Sequence, residues 1–229
     1  MLQQVSADPA DRKRGAHVIS FGIVDGRAIF MDERTDSYFT LDPSAQEHFH
    51  RLLAEQVQLS ADPELVDAVG IFEKPATIIQ ATHCAAVDSL LDREAPRRPP
   101  LSRIVKAARL VRTIRRRLRA QPIAMVLADV QAIGCSADFE IEDMLAEACA
   151  FLDARRLAPF PRNCLLDSLS LLHWLGPKRS RFALIFGVKL DPFAAHCWIQ
   201  ADDLVINDRL ESVAPFTPVR VIRCSKATQ

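Results

Sequence analysis

The stretch PRNCLLDSLSLLHWLG, residues 161–176, organises the C-terminal half of the chain. It begins with a proline, places Asn163 where a helix N-cap belongs, and continues as an apolar helix to Gly176. Cys164 is therefore predicted to open a helix. A thiol there lies at the positive end of the helix dipole, beside unpaired N–H groups that favour the nucleophilic thiolate. A buried core cysteine is the alternative interpretation.

A cysteine nucleophile needs a base, and this helix does not supply one. His173 lies nine residues after Cys164, which at roughly 100° per residue places it on the opposite side of the helix. The segment HCWIQADDLVIND, residues 196–208, instead has the pattern of a half-buried hairpin with His196 at one end and Asp208 at the other. These two residues are the candidate base and its carboxylate partner.

The pairing of His196 with Asp208 depends on the register of the hairpin. A three-residue loop, 201–203, would place Gln200 opposite Leu204 and His196 opposite Asp208, with Cβ atoms about 5 Å apart. Asp208 could then fix the tautomer of the imidazole and leave its other nitrogen free for the thiol proton. A two-residue loop would place His196 opposite Arg209 instead.

Composition excludes several classes of protein. The 229 residues include 29 basic and 29 acidic side chains, so no overall field attracts nucleic acid or membrane. There is no apolar run of membrane-spanning length and no signal-peptide pattern, which predicts a cytoplasmic protein. The six cysteines form no C-x-x-C pair, and no Walker-type glycine loop is present. We therefore expect no metal and no cofactor.

The N-terminal part of the chain is patterned as strands followed by helices. Residues 17–41 alternate apolar and polar residues around turn signals, which predicts three short antiparallel strands. Asp42 and Pro43 then begin a helix, and a second helix is predicted at about 62–71. The stretch 92–100, with three prolines in nine residues, is typical of a linker.

Helical patterns dominate the chain beyond this linker, with further helices predicted at about 121–133 and 139–155. Residues 101–122 form an amphipathic pattern with eight Lys or Arg residues between Arg103 and Arg119. Contact with nucleic acid or with an acidic partner is one interpretation, and a solvated outer face is the other. We favour the solvated face and expect no nucleic-acid partner, because no aromatic residues interleave with the charges.

The motifs RNCLLDSLSLLHWL, FGVKLDPFAAHCWIQ and VIND resemble the leader peptidase of lasso-peptide biosynthesis, a transglutaminase-like cysteine protease of the papain fold. The resemblance covers about residues 101–215. It implies that Cys164 is the nucleophile, His196 the base and Asp208 its orienting partner. Relatives often have alanine after the histidine. Cys197 stands there in this chain, and strand alternation predicts that it points to the opposite face and takes no direct part in catalysis.

The N-terminal part, with RAIFMDERTDSYFTLDPSAQEHFHRLL, looks like a winged-helix-like leader-recognition domain. The resemblance implies that a precursor's leader adds a strand beside the third strand, with the helix near 62–72 as the groove's other wall. The leader-binding residues would be Ser37, Tyr38, Phe39, Thr40 and Leu41. The expected α+β organisation is a recognition domain at 1–91, a linker at 92–100 and a protease domain at 101–229.

The resemblance implies hydrolysis of the leader–core amide of a precursor peptide, and an asparagine-synthetase-like cyclase as a partner. Three alternatives remain open from the sequence. The same triad could transfer the acyl group to an amine, the protein could be a peptide-binding chaperone with an incidental triad, or the basic helix could bind nucleic acid. Recognition and cleavage are expected to lie in different domains without shared contacts.

Overall fold

The computed structural model describes residues 17–70, 76–93, 95–132 and 139–223, which form the mixed α+β architecture predicted from the sequence. Two β-sheets are present in these ranges, one built from strands within residues 17–80 and the other from a short strand at 88–89 and four strands within residues 182–223. None of the helices described is both long and apolar enough to cross a bilayer.

The N-terminal sheet contains the three predicted antiparallel strands, β1 (His17–Val24), β2 (Arg27–Asp32) and β3 (Ser37–Thr40). The turn between β1 and β2 has positive φ angles at Asp25 and Gly26, as a tight hairpin turn requires. A fourth strand, β4 (Ala76–Gln80), was not predicted and pairs parallel to β1. The strand order β3-β2-β1-β4 leaves β3 at one edge.

Two predicted helices follow the strands, α1 (Pro43–Ala54) and α2 (Pro63–Ala68). Each begins with an aspartate cap before a proline, and the Asp42 carboxylate accepts from the N–H groups of Ser44 and Ala45. The two helices cover one face of the sheet, where Phe49 packs against phenylalanines of β1 and β2.

The C-terminal sheet has the order β5-β8-β7-β6-β9. Its strands are β5 (Asp88–Ser89), β6 (Phe182–Lys189), β7 (Ala194–Ala201), β8 (Leu204–Val205) and β9 (Thr217–Arg223). The helices are α3 (Leu90–Arg93), α4 (Leu101–Ala120), α5 (Ile123–Ala132), α6 (Ile141–Arg156), α7 (Cys164–Leu175) and α8 (Leu210–Val213). The four helix predictions beyond residue 100 are confirmed, and α7 packs against α4, α6 and β7.

The two sheets lie against each other. Met31 of β2 belongs to the same core cluster as the helices of the C-terminal half, and Glu33 forms a buried ion pair with Arg220 of β9. Gly22 of β1 lies so close to the Pro218 carbonyl that a Cβ atom could not be accommodated there. The N-terminal sheet therefore buries its second face against the C-terminal half.

Candidate active site

Helix α7 begins at Cys164, as the sequence predicts. The side chain of Asn163 caps the helix by accepting the Leu166 N–H at 2.9 Å. The buried leucines of α7 pack into the main core and fix the orientation of the helix. Cys164 is half-buried in the first turn, where the helix dipole and the unpaired N–H groups favour a negative sulfur.

A buried arginine holds the segment that leads into α7. Arg155, at the end of α6, is 1% exposed and donates from Nε to the Asp167 carboxylate at 2.6 Å. Its other nitrogens donate to the carbonyls of Phe160 and Pro161 at 3.1 and 2.8 Å. Asp167 also pairs with Arg162 at 2.8 Å. This network connects α6, the loop and the first turn of α7, and it fixes the position of Cys164. No sequence pattern predicted it.

The hairpin register predicted from the sequence is wrong. Ala201 pairs with Leu204 and Gln200 pairs with Val205, so the loop contains two residues, as in the alternative that would place His196 opposite Arg209. That pairing does not form, because β8 ends at Val205 and the chain leaves the ladder after Ile206 donates to the Ile199 carbonyl.

The side chain of Asn207 replaces a backbone hydrogen bond that β8 would make to β7 if β8 continued beyond Val205. Its Oδ1 accepts the Ile199 N–H at 2.7 Å, and its Nδ2 donates to the Ser168 hydroxyl of α7 at 2.8 Å. All three groups are buried. The side chain thus joins the open edge of β7 to the helix that carries Cys164, and it sets the path of the chain into Asp208. The sequence motif contained this asparagine, but no role was predicted for it.

His196 and Asp208 meet in spite of the changed register. The imidazole Nε2 lies 2.7 Å from Asp208 Oδ2, and the ring packs 5.3 Å from the ring of Phe216. The hydrogen bond to Asp208, followed by the one to Cys164, raises the pKa of His196 to about 9. Burial disfavours the Asp208 carboxylate, but the bonds from His196 and the Arg209 N–H outweigh burial and lower its pKa. Since Nε2 is occupied, Nδ1 is the ring nitrogen left for Cys164.

Cys197 contacts Cys164, contrary to the expectation from strand alternation. The thiol and the backbone N–H of Cys197 both lie near enough to the Cys164 sulfur to lower its pKa. His196 and Cys197 are consecutive residues of β7, and both affect the pKa of the Cys164 thiol, which is consistent with a Cys164 sulfur near the edge of β7 that β8 leaves unpaired. Strand alternation separates the two faces of a strand but does not separate residues that meet at its edge.

These contacts set the protonation of the pair of thiols. The hydrogen bond from Cys197 and then the one from His196 lower the pKa of Cys164 to about 4, while burial acts in the opposite direction. The bond to Cys164, together with burial, raises the pKa of Cys197 well above its usual value. Cys197 therefore remains a protonated donor at neutral pH, and Cys164 and His196 form a thiolate–imidazolium pair.

The predicted leader-binding residues lie on or directly after the edge strand β3. Phe39 stacks on Phe30 in the N-terminal core, whereas Tyr38 faces the C-terminal core and packs edge-on against Phe193 at 6.0 Å. Burial, followed by the negative charge of nearby groups that include Cys164, raises the pKa of Tyr38. Tyr38 and Cys164 therefore pack against the same core, while the separation of recognition and cleavage into different domains stays a prediction.

His173 does not approach the nucleophile, as its helical position predicts. Its Nδ1 bonds to the Leu169 carbonyl of the same helix at 2.8 Å, and burial lowers its pKa. In the described ranges, no group of three or more His, Cys, Asp or Glu side chains is arranged to hold a metal ion.

A thiolate at a helix N-terminus, beside an imidazole held by a carboxylate, is the arrangement of cysteine-dependent enzymes. Residues 107–221, half of the chain, match the family model of the transglutaminase-like superfamily, and this range contains Cys164, His196 and Asp208. The chain therefore belongs to the transglutaminase-like superfamily. Comparisons with curated proteins and with solved structures gave no match.

Proposed function

We propose that this protein is a cysteine peptidase in which Cys164 is the nucleophile, His196 the acid and base, and Asp208 the residue that orients His196. The observation that carries the proposal is the 2.7 Å bond from His196 Nε2 to Asp208 Oδ2, in a ring whose pKa the neighbouring Cys164 also raises. Nucleophile, base and orienting carboxylate thus lie next to one another.

In the proposed reaction, the Cys164 thiolate attacks the carbonyl carbon of a peptide bond. The imidazolium of His196 donates its proton to the departing amine, and the acyl group remains on the sulfur. Water then enters, His196 takes a proton from it, and the hydroxide releases the acyl group as a carboxylate. The Cys164 backbone N–H, in the first turn of α7, is the first candidate to stabilise the oxyanion.

The proposed substrate is a precursor peptide of a lasso peptide, bound through its leader and cleaved at the leader–core amide. The leader would add a strand to β3 over Ser37–Leu41, since β3 lies at a sheet edge and an extended peptide can hydrogen-bond there. The packing of Tyr38 and Cys164 against the same core supports this assignment, because a peptide bound along β3 would lie next to the part of the molecule that carries the nucleophile. The freed core amine would pass to an asparagine-synthetase-like cyclase in the cytoplasm.

The experiment that tests hydrolysis uses the full chain and a diverse synthetic peptide library, with products identified by mass spectrometry. We expect new peptide ends with the native protein and none with Cys164→Ser, because an alcohol at this position is not ionised. A primary amine added in excess distinguishes the acyl acceptors: hydrolysis gives free carboxylates, and amine transfer gives amide adducts. If Cys164 failed to react with iodoacetamide and no peptide were cleaved, the proposed function would be rejected.

A further inference from the structure

A groove rich in arginine lies between Arg93, residues 95–100 and the helices α4 and α6. It encloses about 670 Å³, and among the described residues seven arginines and two carboxylates line it. The whole chain has 29 basic and 29 acidic residues, so this excess of positive charge is local. A groove of this size can accommodate several residues of an extended peptide.

Some of these arginines are neutralised and others are not. Arg93 pairs with Asp88, and Arg156 pairs with Asp153, each at 2.7 Å. Arg98 and Arg103 are exposed, and no carboxylate within the described ranges forms an ion pair with either. Their guanidinium groups are therefore available to a ligand.

The groove is lined at one end by residues that are close in sequence to the candidate active site. Arg162 lines it and lies two residues before Cys164, and Arg209 lines it and directly follows Asp208. Both side chains are more than half exposed, at 51% and 63%. A chain bound in the groove would therefore reach the segments that carry the nucleophile and the orienting carboxylate.

We propose that this groove binds an acidic segment of the peptide substrate, an inference that rests on the proposed peptidase function. Guanidinium groups bind carboxylates through paired hydrogen bonds, so aspartate or glutamate side chains match the groove. The apolar part of its lining, which includes Leu91, Leu145 and Cys149, suits the remaining side chains of a peptide. None of the described residues that line the groove is aromatic, which disfavours stacked nucleic-acid bases.

The binding test uses full-length Cys164→Ala protein, so that no probe is consumed. The probes are two fluorescein-labelled peptides, one of alternating glutamate and glycine and one of alternating glutamine and glycine. We expect the glutamate peptide to bind about tenfold more tightly, because only it forms charged pairs with the groove. The difference in affinity between the two peptides should decrease as salt is added, since salt screens exposed charges such as these arginines.

Two double variants locate the binding. Arg98→Glu with Arg103→Glu should remove the roughly tenfold preference for glutamate. Arg112→Glu with Arg116→Glu changes two exposed arginines of α4 outside the groove by the same total charge, and it should retain the preference. Equal binding of both peptides, or an equal loss in both variants, would overturn the proposal. The proposal would also be overturned if inorganic phosphate, at an equal concentration of negative charge, displaced the glutamate peptide. The groove would then bind any anion.

The outcomes for the groove and for the proposed function can be told apart. Alkylation of Cys164 by iodoacetamide in the native protein reports on the nucleophile alone. If Cys164 reacts and the preference for glutamate is absent, only the groove assignment fails. If the preference is present and Cys164 is unreactive, the groove binds acidic peptides, but the peptidase function and the role of the groove in it both fail.

Discussion

Replacing Cys197 with alanine should make Cys164 a weaker acid. Cys197 is 3% exposed, remains protonated, and provides the largest contribution to the lowered pKa of Cys164. Hydrogen bonds to charged groups contribute about 1.5–3 kcal/mol, and a thiol is a weak donor, so the lower end applies. One pKa unit corresponds to about 1.4 kcal/mol. The substitution should therefore raise the pKa of Cys164, about 4 in the native protein, by about one unit.

The assay is the pH dependence of alkylation by iodoacetamide, followed by mass spectrometry of the peptide that contains Cys164. Cys197→Ser keeps a donor of similar size and should keep the native pH profile. Cys149→Ala removes a half-buried thiol from α6 and serves as the control for the loss of a thiol elsewhere. An unchanged pH profile of alkylation in Cys197→Ala would refute the reasoning. It would mean that His196 and the backbone N–H alone stabilise the thiolate.

Three further predictions concern the same site. Asp208→Asn should fold normally but lose about 10²–10⁴-fold in turnover. The pKa of His196 measured by NMR should fall, because the hydrogen bond to Asp208 is the largest cause of its raised value. Turnover should be highest between pH about 4 and about 9, since Cys164 gains a proton below this range and His196 loses its proton above it; a profile without the acidic limb would contradict the thiolate assignment. Asn207→Leu should lower the free energy of unfolding in urea by about 2–4 kcal/mol, because it leaves the buried Ile199 N–H without a partner and removes the donor to the Ser168 hydroxyl.

The packing of Tyr38 against the C-terminal core limits which variants of β3 can test leader recognition separately from cleavage. Tyr38 belongs to the core that also surrounds Cys164, so substitutions on β3 cannot be assumed to leave the nucleophile unaffected. Phe39 faces the other core and is the better position for a variant of the edge strand. The sequence could not indicate this difference, because it depends on which sheet face lies against the C-terminal half.

Local sequence signals determined most elements of the fold. Asn163 before Cys164 and Asp42 before Pro43 fixed two helix starts, and the caps form as the residue types require. The turn at Asp25–Gly26 fixed the first hairpin. The placement of Cys164 at a helix N-terminus followed from residues within one helical turn, and such short-range patterns are encoded in consecutive residues.

The tertiary structure alone decided how the site is assembled. His196 and Asp208 meet because β8 ends early and Asn207 bridges its gap, although the strand register itself would separate them. Cys164 of α7 then comes close enough to β7 for both His196 and Cys197 to lower its pKa. The physical reason is that a strand's faces follow from its own alternation, whereas the groups that meet at its edge depend on where the neighbouring strand stops and which distant helix packs there.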